Sequence, residues 1–173
     1  MKKRSKELTF IFLRYILLLL LGIFLNLFYL VFIPLTIYPV YFILSLIYGI
    51  TLSGTSLITS FGVIEIVRAC IAGSAYYLLL ILNLSTPMRL KIRIKSLLFI
   101  LFSLLIINIL RIILFSILFL QGFSYFNLTH LLVWYVLSIV FVTGIWILNI
   151  FLFKIKSIPI YSDFKKLLRK KPN

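Results

Sequence analysis

The sequence predicts an all-α membrane protein, a polytopic helical bundle with about four strong transmembrane helices. Two observations carry that prediction. Hydrophobic residues make up 64% of the chain and charged residues 12%, with a mean hydropathy of +1.23, a balance that places the chain in the integral-membrane class. The apolar residues also gather in runs of about 20 or more, the length a helix needs to cross a hydrocarbon core about 30 Å thick. The 173 residues read as one integral-membrane domain, 1–173, that ends in a basic tail, 154–173.

The first run, Leu8 to Ile33, follows Lys2, Lys3, Arg4 and Lys6. A basic start suits a signal peptide, but the length of the run and the lack of an Ala-x-Ala-like site predict an uncleaved anchor. Arg14 would snorkel to the near interface. The next stretch, 34–61, is apolar but interrupted by Pro34, Pro39, Gly49 and Gly54. Hydroxyl residues from Thr51 to Ser60 suit partial hydration and predict an interfacial or re-entrant element, with two short crossings as the alternative. Three further spans are predicted at about Ile64 to Leu84, Ser96 to Leu120, and Leu131 to Phe153.

Charge fixes the expected orientation. The formal net charge is +15, and apart from Arg14, Arg68 and Arg111 the Lys and Arg residues fall in three clusters: the N-terminus, a short loop holding Arg89, Lys91, Arg93 and Lys95, and the tail from Lys154 to Lys171. Short segments rich in Lys and Arg stay on the cytoplasmic side. Four crossings, with 34–61 contributing none or two, put all three clusters there. The expected location is the cell (plasma) membrane, with both termini cytoplasmic. Anionic membrane lipids are the expected partners of such clusters; nucleic acid is not, because the tail carries few aromatic residues to stack bases.

Against this background three residues stand out. Cys70 is the only cysteine, His130 the only histidine, and Arg111 lies within a span although a charge at membrane depth costs roughly 2.5 kcal/mol or more. The topology puts all three in the outer leaflet on separate helices. A thiolate is the nucleophile of cysteine chemistry, and a neighbouring imidazole or guanidinium favours it. Cys70 as nucleophile, His130 as proton relay and Arg111 as stabiliser of thiolate or oxyanion make a minimal acyl-transfer set. Plainer readings exist: a lone buried Cys is most often a small hydrophobe, and a lone His at a helix end an interfacial residue. Arg111 lacks one, because an arginine away from the basic clusters has no topological purpose and calls for a partner in the bundle interior. With one Cys, one His and three acidic residues, no metal site is expected, and no cofactor.

The segment from Glu65 to Tyr77, with Arg68-Ala69-Cys70-Ile71-Ala72-Gly73-Ser74 at its centre, resembles the cysteine motif of the exosortase/archaeosortase family of membrane-embedded cysteine transpeptidases. That family places an essential arginine on a later helix and a histidine at the opening of a further one; Arg111, in Asn108-Ile109-Leu110-Arg111, and His130 match in order. The likeness spans about residues 60–145. The family's commoner Cys-Ser-Gly is replaced here by Cys-Ile-Ala-Gly-Ser, which points to its small archaeal branch, of the pacearchaeosortase kind. The resemblance implies a cysteine endopeptidase and transpeptidase facing outward. Its substrates would be secreted proteins that end in a short motif, a transmembrane helix and a basic cluster. The acyl group would pass through a Cys70 thioester to an acceptor, a lipid in archaea.

Glu65 and Arg68 are the only charges between Pro34 and Ala69. An ion pair between them, or of Glu65 with Arg111, is the first expectation; binding of the substrate motif is the sharper one. On a helix already begun, Glu65 and Cys70 would face different ways. The small residues Ala69, Ala72, Gly73 and Ala75 would let the cysteine helix approach the Arg111 helix closely. A non-catalytic alternative is a small transporter subunit or lipid-binding scaffold, with Arg111 as a counter-ion and Cys70 as packing.

Overall fold

The computed structural model describes residues 25–155 without interruption, together with residues 9, 12, 13, 15, 16, 18–20, 22 and 23, all helical. In order come helix α1 (Leu25–Tyr48), strands β1 (Thr51–Ser53), β2 (Ser56–Thr59) and β3 (Gly62–Glu65), and a one-turn helix α2 (Arg68–Ile71). Helices α3 (Gly73–Ser85), α4 (Leu90–Leu120), α5 (Phe126–Leu132) and α6 (Ser138–Leu152) follow, with a π-helical turn at Val133–Leu137 between the last two. Among the described residues four helical stretches are long and apolar enough to cross a membrane: Leu25–Tyr48, Arg68–Ser85, Leu90–Leu120 and Phe126–Leu152. The N-terminal basic cluster, Arg14 and the tail from Lys156 lie outside the described residues.

The stretch 34–61 departs from expectation. Its first part continues α1 through Pro34 and Pro39. Each proline lacks the N–H that would donate to the carbonyl four residues back, a loss that a helix in a bundle tolerates when its neighbours support it. Gly49, at φ +58°, then ends α1 with its N–H on the Ser45 carbonyl at 3.3 Å, the left-handed cap that glycine adopts without penalty. The second part folds as an antiparallel meander, with Thr51 opposite Ile58 and Ser56 opposite Glu65. Strands of three or four residues fall far short of the 9–11 or so that cross a bilayer, so this part makes neither one crossing nor two. The bundle is therefore all-α apart from this small sheet.

The basic loop also differs. Helix α4 starts at Leu90, so Lys91, Arg93 and Lys95 sit on its first turns, and only Arg89 precedes it. At 31 residues α4 is about 46 Å long, which leaves room for a polar end beyond the apolar core. Arg93 uses that position. Its Nη1 donates to the Leu84 carbonyl at 2.9 Å and its Nη2 to the Thr86 carbonyl at 3.0 Å, satisfying acceptors that the end of α3 leaves without intrahelical partners.

Helix α4 is the centre of the bundle, packed against α1, α3 and α6. Its buried residues Ser96, Ile100, Leu104, Asn108, Ile112 and Ser116 repeat every fourth position, a single ridge along the helix. The apolar middle includes Val40 and Leu44 of α1 and Leu79 of α3, and the Phe32 and Tyr76 rings stack with centroids 3.8 Å apart. At one end of the ridge lies a polar layer: Asn83 Nδ2 donates to Ser96 Oγ, which donates to Asn149 Oδ1 at 2.8 Å. The other end holds Asn108 and Arg111, next to the sheet.

Candidate functional site

The cysteine sits at a break in a helix. Helix α2 stops at Ile71 because Ala72 takes a left-handed conformation, φ 60° and ψ 35°, and α3 starts afresh at Gly73. An L-residue in that region costs roughly 1–2 kcal/mol, and such strain persists only where surrounding contacts hold it. Here two side chains of α4 do so. Asn108 Nδ2 donates to the Cys70 carbonyl at 2.8 Å, and Arg111 Nη2 donates to the same oxygen at 3.2 Å. In an unbroken helix that carbonyl would accept from the residue four places on; the break frees it for α4.

Arg111 spans a second element. Its Nη1 donates to Ser138 Oγ at 3.2 Å, and the Ser138 hydroxyl donates to the Val133 carbonyl at 3.2 Å. Val133 to Ser138 is an i, i+5 step, the spacing of the π turn that α5 and α6 enclose. One α turn plus one widened π turn takes about eight residues, so His130 and Ser138 come to nearly one face. Two bonds engage two of the five N–H donors of the guanidinium.

Cys70, Arg111 and His130 line one cavity of about 270 Å³. The rest of its wall is mainly apolar, including Ile112, Phe115 and Phe119 of α4 and Phe126 of α5. Aromatic rings fix the imidazole: Phe126 stacks on it with interplanar angle 4° and Phe115 meets it edge-on with centroids 5.1 Å apart. His130 is exposed, Cys70 and Arg111 half-buried. The arrangement sets a thiol, an imidazole and a guanidinium around one apolar-walled space, which is the donor set of acyl transfer. The Arg111 contacts run to the backbone of Cys70, so the arginine positions the cysteine turn as well as facing the cavity.

Glu65 and Arg68 part company. Glu65 ends β3 and lines the same cavity as Cys70, contrary to the expectation that the two face apart. That expectation assumed a helix, whereas the helix begins only at Arg68. For the same reason neither expected ion pair of Glu65 forms among the described residues. Arg68 turns away from the cavity lining, its guanidinium carbon 5.7 Å from the centre of the Tyr29 ring on α1. Gly73 likewise meets α1: a Cβ there would stand 2.6 Å from Tyr29 Cζ. Gly73 thus admits α1, while Asn108 and Arg111 reach the cysteine turn from α4.

Two positions that support the candidate site, Asn108 and Ser138, escaped the sequence reading. Asn108 precedes Arg111 by three residues, a same-face helical spacing, and this was the available signal. Ser138 had none, because the π turn that aligns it is invisible to a regular helical period. No protein-family model, no curated protein and no solved structure matches this chain.

Proposed function

We propose that this chain is a membrane-embedded cysteine endopeptidase and transpeptidase that cleaves C-terminal sorting signals of secreted proteins at the extracytoplasmic face. One observation carries the reading: the only cysteine and the only histidine, far apart in sequence, line a single cavity with Arg111. The Cys70 thiolate attacks the scissile carbonyl, and Arg111 donors not engaged with Cys70 and Ser138 face the oxyanion. His130 holds the thiol proton and gives it to the leaving amine as the C–N bond breaks, leaving an acyl thioester on Sγ. An acceptor hydroxyl or amine, carried by a lipid, then loses its proton to His130 and displaces the thiolate. The substrate's own helix enters sideways between helices, so that its apolar span stays out of water. At the basic end, Arg89 and Lys154 border a separate cavity of about 300 Å³, suited to the anionic headgroups of membrane lipids.

The test uses Cys70→Ala and Cys70→Ser with a co-expressed secreted protein carrying such a signal. Both variants should insert normally, because the α4 contacts go to the Cys70 backbone and not to its side chain. Both should leave the signal unprocessed, and mass spectrometry of the parent should trap substrate on Cys70. Processing that survives in both variants rejects the enzyme and leaves the transporter or scaffold reading, with Arg111 as a counter-ion.

A further inference from the structure

Five consecutive residues, Val63, Ile64, Glu65, Ile66 and Val67, line the Cys70 cavity. Strand side chains alternate between faces, so one face of β3 supplies only every second residue to a neighbouring space. Three successive residues of β3, Val63 to Glu65, with Ile66 and Val67 beyond its end, place the cavity along the edge of the strand. That edge is open: β3 is the outer strand in the order β1-β2-β3.

The orientation of the open groups follows from the pairing. The Ile66 N–H donates to the Thr55 carbonyl at 3.0 Å, toward β2. Antiparallel ladders alternate residues that face the partner with residues that face away. Ile64 and Gly62 therefore face β2, while the N–H and C=O groups of Val63 and Glu65 face outward along the cavity. A row of backbone donors and acceptors at strand spacing fits a polypeptide in extended form. Charge narrows the occupant. Glu65 is the one acidic residue among those described, it is exposed, and it makes no ion pair among them, so it favours a basic side chain on the incoming strand. The apolar wall suits the side chains on either side of that residue.

We infer that an extended peptide adds to β3 as a fourth strand, with a basic residue beside Glu65, and that this pairing leads the chain toward Cys70. The inference rests on the peptide-cleaving function proposed above and assigns β3 as its docking edge.

Binding is read on the full chain carrying Cys70→Ala, in lipid nanodiscs, by fluorescence anisotropy of a labelled nonapeptide that alternates Val and Thr around one central Lys. Two further peptides carry N-methyl groups on alternate amides, one series in each parity. Methylation in one parity should weaken binding about tenfold or more, through the loss of the two backbone hydrogen bonds to the Val63 and Glu65 carbonyls, and in the other parity by no more than about twofold. Replacing the peptide Lys by Glu should weaken binding to the Glu65 protein and not to Glu65→Gln. Val63→Pro, added to Cys70→Ala, removes an outward N–H, which an edge strand accommodates, and should reproduce the loss. No binding, equal losses in the two parities, or unchanged binding by a folded Val63→Pro protein would overturn strand addition. The two readings separate: acyl-enzyme on Cys70 without parity dependence rejects strand addition alone, and parity-dependent binding without acyl-enzyme rejects the peptidase.

Discussion

Asn108 and Arg111 stand one turn apart on α4 and send donors to one carbonyl oxygen, that of Cys70. The arginine alone also reaches Ser138, a task that needs a planar fork of donors. Lysine offers a compact ammonium instead. Arg111→Lys is therefore expected to insert at the parent level and yet lose about tenfold or more in processing rate, read by comparing processed substrate with membrane-inserted enzyme on the same blot. Gly73 makes a different demand. Because an added Cβ would lie 2.6 Å from Tyr29 Cζ, Gly73→Ala should cost about 1–3 kcal/mol in a denaturant titration in detergent. Tyr29→Leu should recover most of that loss, since it removes the far end of the ring that the new methyl meets. Cys70, Arg111 and His130, which line one cavity, stood out in the sequence because ionisable groups are scarce in an apolar chain. Their backbone attachments were not, because a carbonyl freed by a helix break leaves no trace in residue type.

Among the elements, the α2–α3 break is the most exposed to test. Ala72 pays a conformational penalty that glycine does not, so Ala72→Gly should leave stability unchanged or raise it by up to about 1 kcal/mol, whereas the β-branched Ala72→Val should lower it by about 1–2 kcal/mol. The same titration measures both. The polar layer between α3, α4 and α6 gives an independent case: Ser96 bonds Asn83 and Asn149 at once, and Ser96→Ala leaves two buried amides without it. A loss of about 1–3 kcal/mol is expected. The element pattern was legible where runs were long and uniform, as in α4 and in α5 with α6. It was hidden in the meander, where Gly54-Thr55 and Ser60-Phe61 form the turns between strands that carry β-branched residues, the ordinary signature of hairpins. In an apolar chain those hydroxyls read first as hydration. Pro34 and Pro39 misled in the opposite sense, since helix-breaking weight measured in water overstates their effect in a packed span.

For the molecule as a whole, the two ends of the bundle differ in kind: Arg89, Arg93 and Lys154 at one, the sheet and the Cys70 cavity at the other. Charge bias then predicts the orientation, and a chain with one cysteine makes it simple to measure. In a Cys70→Ala background, Ser124→Cys should react with a membrane-impermeant maleimide on intact cells, and Met88→Cys only after permeabilisation. The reverse pattern would place the cavity on the cytoplasmic side. The break at Ala72 has one more effect at this scale. Spans tilt when bilayer thickness departs from their length, and a rigid helix would carry any residue on it along. The cysteine turn is joined to α3 by a single left-handed residue but to α4 by two side chains, so a tilt of α3 is expected to be taken up at Ala72 while Cys70 keeps its register against Arg111. The depth of the thiol is then expected to follow α4 and the α1 contact at Tyr29 rather than α3.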